Sequence, residues 1–517
     1  MTTTAPNILL VMADQLAPHA TGTYGHPLVR TPHMDALAER GVRFDATYAN
    51  SPLCAPARFS FLSGQTITRI GAYDNAAEFP ASIPTVAHYM RLMGYRTCLS
   101  GKMHFVGPDQ LHGFDERLTT DIYPADFAWT PNWDEPDRRI GKWYHNMDSL
   151  HEAGQAAMTY QIEYDEEVGF AAKRRIYDYA RDSEDPPWML VASFIHPHDP
   201  YVARPEWWDL YDHDDIDLPG EVAVGELDPH SKRIRAGIEY DTVGASEEHI
   251  RSARHGYYAN TSYFDHWLGK LVETVTETGQ ADNTIIILTA DHGDMLGERG
   301  QWFKMSMFER SARVPLIMAG PGVGAGQVPN ACSHLDLLPT LLDIASGDGR
   351  PWPELGQTID GRSLWQLATG GADAIDETTG EYCAEMTSYP IFMIRRGAYK
   401  YIHCQTDPAL LYDLAADPAE SVNLAHAPAH ADLAAAFADE VAARWDSERI
   451  RDQVVASQRA RRTLHAAMTG TDVSWDFQPV RDAANEYVRN HMDWAEAGAR
   501  GRFPRLDNVS DLTETDA

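Results

Sequence analysis

Residues 284–290 read TIIILTA and run directly into Asp291-His292-Gly293. A short run this apolar, rich in β-branched side chains, predicts a strand buried on both faces, the habit of parallel sheets covered by helices. Polar residues straight after such a strand stand at its carboxyl end, the edge where open α/β sheets bind ligands. Residues 7–13 (NILLVMA) form a second such run, ending at Asp14-Gln15, and residues 188–195 a third, ending at His196-Pro197-His198. Shorter strands are expected at 95–99 and 314–319. Helical stretches lie between them at 31–40, 83–93, 165–181 and 247–278; the first has Pro32 at its start and Gly41 as its stop. Alternating strands and helices predict an α/β fold with a large, mostly parallel sheet flanked by helices. Asp14, His196, His198, Asp291 and His292, distant in sequence, are expected to meet along one edge of it.

Beyond about residue 375 the pattern changes. Residues 392–404 (FMIRRGAYKYIHC) read as a hairpin turning at Gly397, and 410–414 as a further strand, giving a smaller antiparallel sheet. Leu433, Phe437, Val441 and Trp445 repeat at helical spacing, and this helix is expected to continue to about Met468. The tail to Ala517 is irregular, yet its Trp475, Phe477, Trp494 and Phe503 argue that it packs on something. The expected division is a catalytic α/β unit at 1–375, a small α+β subdomain at 376–445 and an extension at 446–517.

With 517 residues, 44% of them hydrophobic, the chain can bury a core of this size. Its 76 acidic and 43 basic side chains give a formal net charge of -33. Such a chain repels polyanions, so neither nucleic acid nor an anionic membrane surface suits it as a partner. An anionic substrate would need positive charge concentrated at its site. No apolar stretch approaches the length of a membrane span, and residues 1–6 carry neither a basic region nor an apolar run, so no secretory signal is expected. The five cysteines, at 54, 98, 332, 383 and 404, are odd in number and scattered. They suggest neither a disulfide framework nor a metal-binding spacing, and a cytoplasmic location is the simplest expectation.

Residues 54–64 read CAPARFSFLSG. Pro56 suits the start of a helix, so Cys54 stands at a helix N-terminus, where N–H groups favour anions, with Arg58 one turn on. Taken alone, such a cysteine is usually an inert core residue. The frame C-x-P-x-R followed by Leu62-Ser63-Gly64, however, resembles the signature of the sulfatase family, within the alkaline phosphatase superfamily. That family's cysteine is oxidised after translation to formylglycine. The resemblance implies that a formylglycine-generating enzyme acts on Cys54. One hydroxyl of the hydrated aldehyde would attack sulfur and the other would expel sulfate, a release step that a serine lacks. Ala57 stands where the family usually has serine; the frame itself is intact.

Further elements carry the same resemblance. Asp14, Asp291 and His292, completed by an oxygen of the modified Cys54, match the family's metal site, which implies one divalent ion. Calcium is the first expectation. Gln15 stands where the family commonly has a second acid, and His292, where the family usually has asparagine, brings in manganese, with magnesium as a further alternative. Gly101-Lys102-Met103-His104 matches a G-K-x-H element in which Lys102 would hold a sulfate oxygen and His104 would stand near the nucleophile. His196-Pro197-His198-Asp199-Pro200 matches a second element, with His198 as sulfate contact and general acid for the leaving oxygen and His196 on the substrate side. Lys304, in Trp302-Phe303-Lys304-Met305, matches a third. Arg58, Lys102 and Lys304 would supply the local positive charge that so acidic a chain requires. Leu410 to Leu414 (LLYDL), Asp417-Pro418 and Asn423-Leu424-Ala425 extend the likeness toward the C-terminus.

Within the family the chain resembles the choline sulfatases in particular, through residues 291–299 (DHGDMLGER), 304–315, Ser457-Gln458-Arg459, 475–479 (WDFQP) and Arg502-Phe503-Pro504. A quaternary ammonium donates no hydrogen bond, so its recognition falls to aromatic faces and a carboxylate. Residues 123–144 hold Tyr123, Phe127, Trp129, Trp133, Trp143 and Tyr144, most of them expected in the core. Trp129 and His145 lead as cation-pocket residues, Asn75 lines the site by resemblance, and Asp507 is the expected carboxylate, set against its reading as an ordinary solvated tail residue. The implied reaction is hydrolysis of choline-O-sulfate, a small-molecule sulfate ester, to choline and sulfate. The implied assembly is a homo-oligomer, dimer or tetramer, built through the tail. Phosphonate monoester or phosphodiester hydrolysis, aryl sulfate hydrolysis, and non-catalytic binding of choline sulfate beside an unmodified thiol are the alternatives.

Overall fold

The structure is a computed structural model that describes residues 5–136, 145–182, 186–220, 227–347, 349–372 and 375–469. At its centre lies β1 (Asn7–Asp14), buried along its length. The other strands of its sheet are β2 (Val42–Tyr48), β3 (Arg96–Gly101), β4 (Glu116–Arg117), β5 (Trp188–Pro197), β6 (Thr284–Ala290), β7 (Arg313–Ala319) and β8 (Gly326–Ser333). The eight strands run in the order β8-β2-β7-β6-β1-β5-β3-β4. β1 pairs in parallel with β5 and β6, with Ala13 level with Ala290 and Asp14 level with Pro197. That register brings three strand ends side by side.

The sheet is mostly parallel, as expected, but β7 runs antiparallel to both of its neighbours, β6 and β2. Since β7 returns beside β6, the connection between them begins and ends at the carboxyl edge of β6. Asp291, His292 and Lys304 all belong to that connection. β2 (VRFDATY) and β8 (GQVPNACS) have no counterpart among the sequence-predicted strands. Arg43 and Asp45 on one, and glycine, proline and asparagine on the other, break up the apolar run that marks a buried strand.

Side chains alternate across the sheet and feed two cores. Ile8, Leu10 and Met12 pack with α2 (Cys54–Ser63), α3 (Val86–Leu92) and α6 (Leu337–Ser346). Leu9, Val11 and Ala13 pack with α1 (Pro32–Glu39), α4 (Tyr160–Arg181) and α5 (Glu247–Glu277). Each buried aliphatic side chain contributes about 1.5–3 kcal/mol, so both faces hold β1 firmly in place. α3 begins later than predicted because Thr85 and His88 form a reciprocal cap. α4 begins earlier, at a cap where the Thr159 side chain accepts the N–H of Ile162.

A second sheet, antiparallel, contains β9 (Glu377–Tyr382), β10 (Ile391–Arg396), β11 (Tyr399–Cys404) and β12 (Leu410–Asp413). Gly397 turns the predicted hairpin with φ 56°. The helix expected from 433 to 468 is two helices, α7 (Ala431–Arg444) and α8 (Ser447–Met468). Trp445 leaves helical geometry to stack on Phe392 at 4.6 Å and to donate its indole N–H to Glu381 Oε1 at 2.7 Å. Asp446 then caps a new helix by accepting the N–H of Arg449. Periodicity alone carries no sign of this break. Among the described residues no helix is long and apolar enough to cross a membrane.

Candidate active site

α2 begins at Cys54, and all of it is buried. Its N-cap residue, Leu53, has no side chain that can cap. Asn75 takes that part from elsewhere in the chain: its Oδ1 accepts the N–H of Ala55 at 3.0 Å. One turn on, Arg58 is wholly buried and grips two strand ends. Its Nε donates to Asp291 Oδ2 at 2.9 Å and its Nη2 to Asp14 Oδ2 at 3.2 Å, while Nη1 holds the Lys102 carbonyl and Ser193 Oγ. Lys102 forms a direct ion pair with Asp14. Burial alone would raise the Asp14 carboxyl, but Lys102, Arg58 and Lys304 outweigh it and hold Asp14 ionised, well below its usual range.

Cys54 Sγ lies 3.2 Å from His292 Nε2 and 3.8 Å from Asp14 Oδ1. Asp14, Cys54, Asp291 and His292 each turn one donor atom to a common point, all within 4.8 Å of one another. His292 Nδ1 lies 3.0 Å from the Gly293 carbonyl, which assigns the ring proton to that nitrogen. The Nε2 lone pair then faces carboxylate oxygens at 3.7 and 3.8 Å, too far for hydrogen bonds. Burial pushes His292 down to about 4, so it stays neutral. Lone pairs that converge in a buried space call for a cation, and this mixed oxygen, nitrogen and sulfur set fits a divalent metal. As a thiol, Cys54 is a poor nucleophile, because burial and the Asp14 charge push it up to about 11.

Lys304 Nζ donates to Gln15 Oε1 at 2.5 Å and lies 2.7 Å from His198 Nε2. Gln15 in turn donates from Nε2 to Asp294 Oδ2 at 2.6 Å and to Asp199 Oδ1 at 3.2 Å. Burial and the Lys304 charge hold His198 well below its usual range, and its Nδ1 lies 2.6 Å from the Asp199 carbonyl. Gln15, His104, Phe303 and Met305 all have φ between 60° and 78°, backbone strain gathered at one site.

An aromatic wall stands next to these cations. The Tyr123 ring faces Lys102 Nζ at 4.1 Å, its hydroxyl lies 3.1 Å from His198 Nε2, and Trp129 meets it edge-on at 5.2 Å. His104 lies against the same two rings, and neither of its nitrogens has a hydrogen-bond partner among the described residues. Burial and Lys102 push it down to about 3. His145 stacks on Phe303 at 4.7 Å and lies 3.4 Å from Asp199 Oδ1.

Of the sequence-predicted site residues, Asp14, Cys54, Arg58, Asn75, Lys102, His104, Trp129, His145, His198, Asp291, His292 and Lys304 thus lie in one network. His196 does not. Its Nδ1 is 2.6 Å from Asp165 Oδ2 on α4, and its ring packs on Tyr263 of α5. His196 still belongs to β5 and turns toward the helices, whereas His198 lies past the end of the strand at Pro197 and faces the rim. Asp507, Trp143 and Tyr144 lie outside the described residues. Sequence reasoning passed over Asp199, Asp294 and the part played by Tyr123, each of which sits inside a quoted stretch. It also missed Glu385, which follows the unpredicted β9 and carries no motif.

Glu385 is fully buried, close enough to Asp74 and Lys304 to feel both charges. Burial, then Asp74, pushes its carboxyl up to about 8. A group raised in the folded state stabilises the fold fully below its unfolded value, near 4.3, and that contribution is lost as pH rises through about 8. Urea unfolding from pH 5 to pH 9 should therefore show stability falling by on the order of 4 kcal/mol from this group. Glu385→Gln should flatten the profile; an unchanged slope would count against the assignment.

Known proteins bear on this geometry. Residues 6–347 match the family model Sulfatase, residues 297–446 the model N-sulphoglucosamine sulphohydrolase, C-terminal, and residues 452–503 the model Choline sulfatase enzyme C terminal. A choline-sulfatase of Rhizobium meliloti (strain 1021) is 47% identical, across 98% of this chain and all of that protein. The multifunctional alkaline phosphatase superfamily protein PehA of Trinickia caryophylli is 28% identical, across 84% of this chain and 94% of its own. In fold, the phosphonate monoester hydrolase of Agrobacterium radiobacter superposes with a TM-score of 0.68 at 23% identity, covering 87% of this chain and 96% of that one. A match over more than half the chain, centred on these strand ends, makes this protein a member of the sulfatase family and a sulfuric ester hydrolase.

Proposed function

We propose that the chain hydrolyses choline-O-sulfate to choline and sulfate, with position 54 converted to formylglycine by a formylglycine-generating enzyme. The observation that carries this reading is the convergence of buried donors and fixed cations on Cys54 beside an aromatic wall. The relative from Rhizobium meliloti supports the choice of ester. Asp14, Asp291 and His292, with the modified residue, would hold one divalent ion, which when bound supplies a Lewis acid at the nucleophile. Calcium is the first ion to test; the imidazole donor favours manganese over magnesium as the second.

The chain's own residues do the remaining work. Lys102 and Lys304 flank the cluster and offer N–H donors to sulfate oxygens, aimed where charge builds up in the transition state. Arg58 is committed to the two carboxylates and fixes them in place. His198 lies between Lys304 and Tyr123, at the mouth of the aromatic wall, where a leaving alkoxide would emerge. It is neutral beside Lys304, and an incoming sulfate would favour its protonated form, the state a general acid needs. His104, with unmet ring nitrogens, is placed to hydrogen-bond the nucleophile or the ester. Trp129 and His145 line the cation side, and Glu385, held protonated by burial, would ionise as an ammonium settles beside it. His196 keeps only a supporting part in this reading, through Asp165. Asp507 retains its proposed part as a second carboxylate.

Trp129→Ala should raise KM for choline-O-sulfate about 10-fold, matching ~1.4 kcal/mol of cation–π attraction, and leave an aryl sulfate nearly unaffected. Equal losses on both esters would reject Trp129 as an ammonium contact. Parallel kinetics on choline-O-sulfate, an aryl sulfate and a phosphodiester, on metal-analysed protein, decide the substrate. Lack of selectivity for choline-O-sulfate would reject this reading. The same reading includes a cytoplasmic enzyme assembled as a homo-oligomer, with a tetramer as the first expectation, and the division of the chain at 375 and 445.

A further inference from the structure

α8 carries an apolar stripe, Ile450, Val454 and Val455, into the core shared with β10, β11 and α7. At helical spacing the same face continues as Gln458 and then Arg461, both buried. A buried arginine in an apolar stripe is costly unless it is fully paired. Arg461 Nη1 and Nη2 grip Asp74 Oδ1 and Oδ2 at 2.6 and 2.7 Å, a two-pronged ion pair, and Nη1 also reaches Thr130 Oγ1 at 3.4 Å.

The two ends of this grip matter. Asp74 precedes Asn75, whose side chain caps the helix that carries Cys54. Thr130 follows Trp129. One turn away, Gln458 Oε1 accepts the N–H of Trp133 at 2.8 Å, and Arg459 pairs with Asp134. α8 therefore holds the loop bearing the aromatic wall against the turn that supports the nucleophile. The choline sulfatase C-terminal match begins at residue 452 and covers Gln458, Arg459 and Arg461.

We propose that Arg461 is a positioning residue for specificity: it sets the distance between the aromatic wall and the nucleophile helix, and thereby the fit for an ammonium-bearing ester. This rests on the proposed substrate reading.

The test compares choline-O-sulfate with its carbon isostere lacking the positive charge, 3,3-dimethylbutyl sulfate. Steady-state kinetics are measured on wild type, on Arg461→Lys, which keeps the charge but loses the fork, and on the double variant Asp74→Asn/Arg461→Gln, which leaves no unpaired buried charge. If wild type does not prefer the cationic ester, the substrate reading fails, and this proposal with it. If it does, both variants should lose about 10-fold of that preference through a higher KM for choline-O-sulfate, with kcat on both esters within about threefold. A parallel fall in kcat on both esters, or an unchanged preference, would overturn the proposal. Should Arg461→Lys fail to fold, the neutral pair decides.

Discussion

Replacing Cys54 with serine should give a protein that reacts once and stops. The serine oxygen would stand where Sγ now lies, between Asp14 and His292, with Lys102 and Lys304 in place. Sulfuryl transfer to that oxygen remains open. What is lost is the second hydroxyl of a hydrated aldehyde, which expels sulfate from the modified residue. The ester on serine should persist, and steady-state turnover should fall by about 10⁴-fold or more, on the scale of losing a nucleophile that acts as a unit with its partners. Intact mass after incubation with substrate should show a gain of about 80 Da, one SO₃ unit. Multiple turnovers by this variant at near wild-type rate would disprove the assigned chemistry of position 54. The companion measurement is on native protein: the peptide containing residue 54 should be lighter than its cysteine form by about 18 Da.

Arg58→Met should be the most damaging substitution for the fold that leaves the nucleophile untouched. Asp14 and Asp291 are fully buried, and Arg58 bonds to both. Methionine fills much of the same space but leaves two like charges facing each other. Breaking one side of a buried ion pair costs about 3–5 kcal/mol. The loss should be largest in chelator and partly reversed by calcium or manganese, since a cation at the cluster restores the missing charge. Urea unfolding with and without metal checks this. Catalysis should drop at least ~10³-fold, because both carboxylates lose their alignment. Arg58→Lys keeps one charge without the fork and should fold while remaining strongly impaired. A metal-independent stability close to wild type would mean that Arg58 does not organise the cluster.

Part of the site was legible because it sits where short apolar strands end, while Cys54, Lys102, His104 and Lys304 were placed by the family's motifs. β1, β5 and β6 read as buried runs, and the polar residues just beyond them could be assigned to one edge without knowing how the strands pair. The direction of β7 was not legible, since a buried strand has the same composition whichever way it runs. β2, β8 and β9 were missed because their polar content hides a strand that is covered only in part. His196 and His198 show the limit of motif reading. Both belong to one matching element, yet His196 is still held in β5 against α4, while His198 lies past the end of that strand and reaches the rim. Glu385 gave no signal at all, because its importance comes from burial beside Asp74 and Lys304, which no local pattern encodes.

The break at Trp445-Asp446 has a consequence for how such an enzyme can diversify. It ends one helix and lets a separately capped one set off in its own direction. Reactivity is set at the strand tips, while the placing of the aromatic wall that faces the leaving group depends on a separately capped segment late in the chain. A lineage can therefore remodel what it accepts by altering residues beyond that joint, with the machinery that cleaves the ester left untouched.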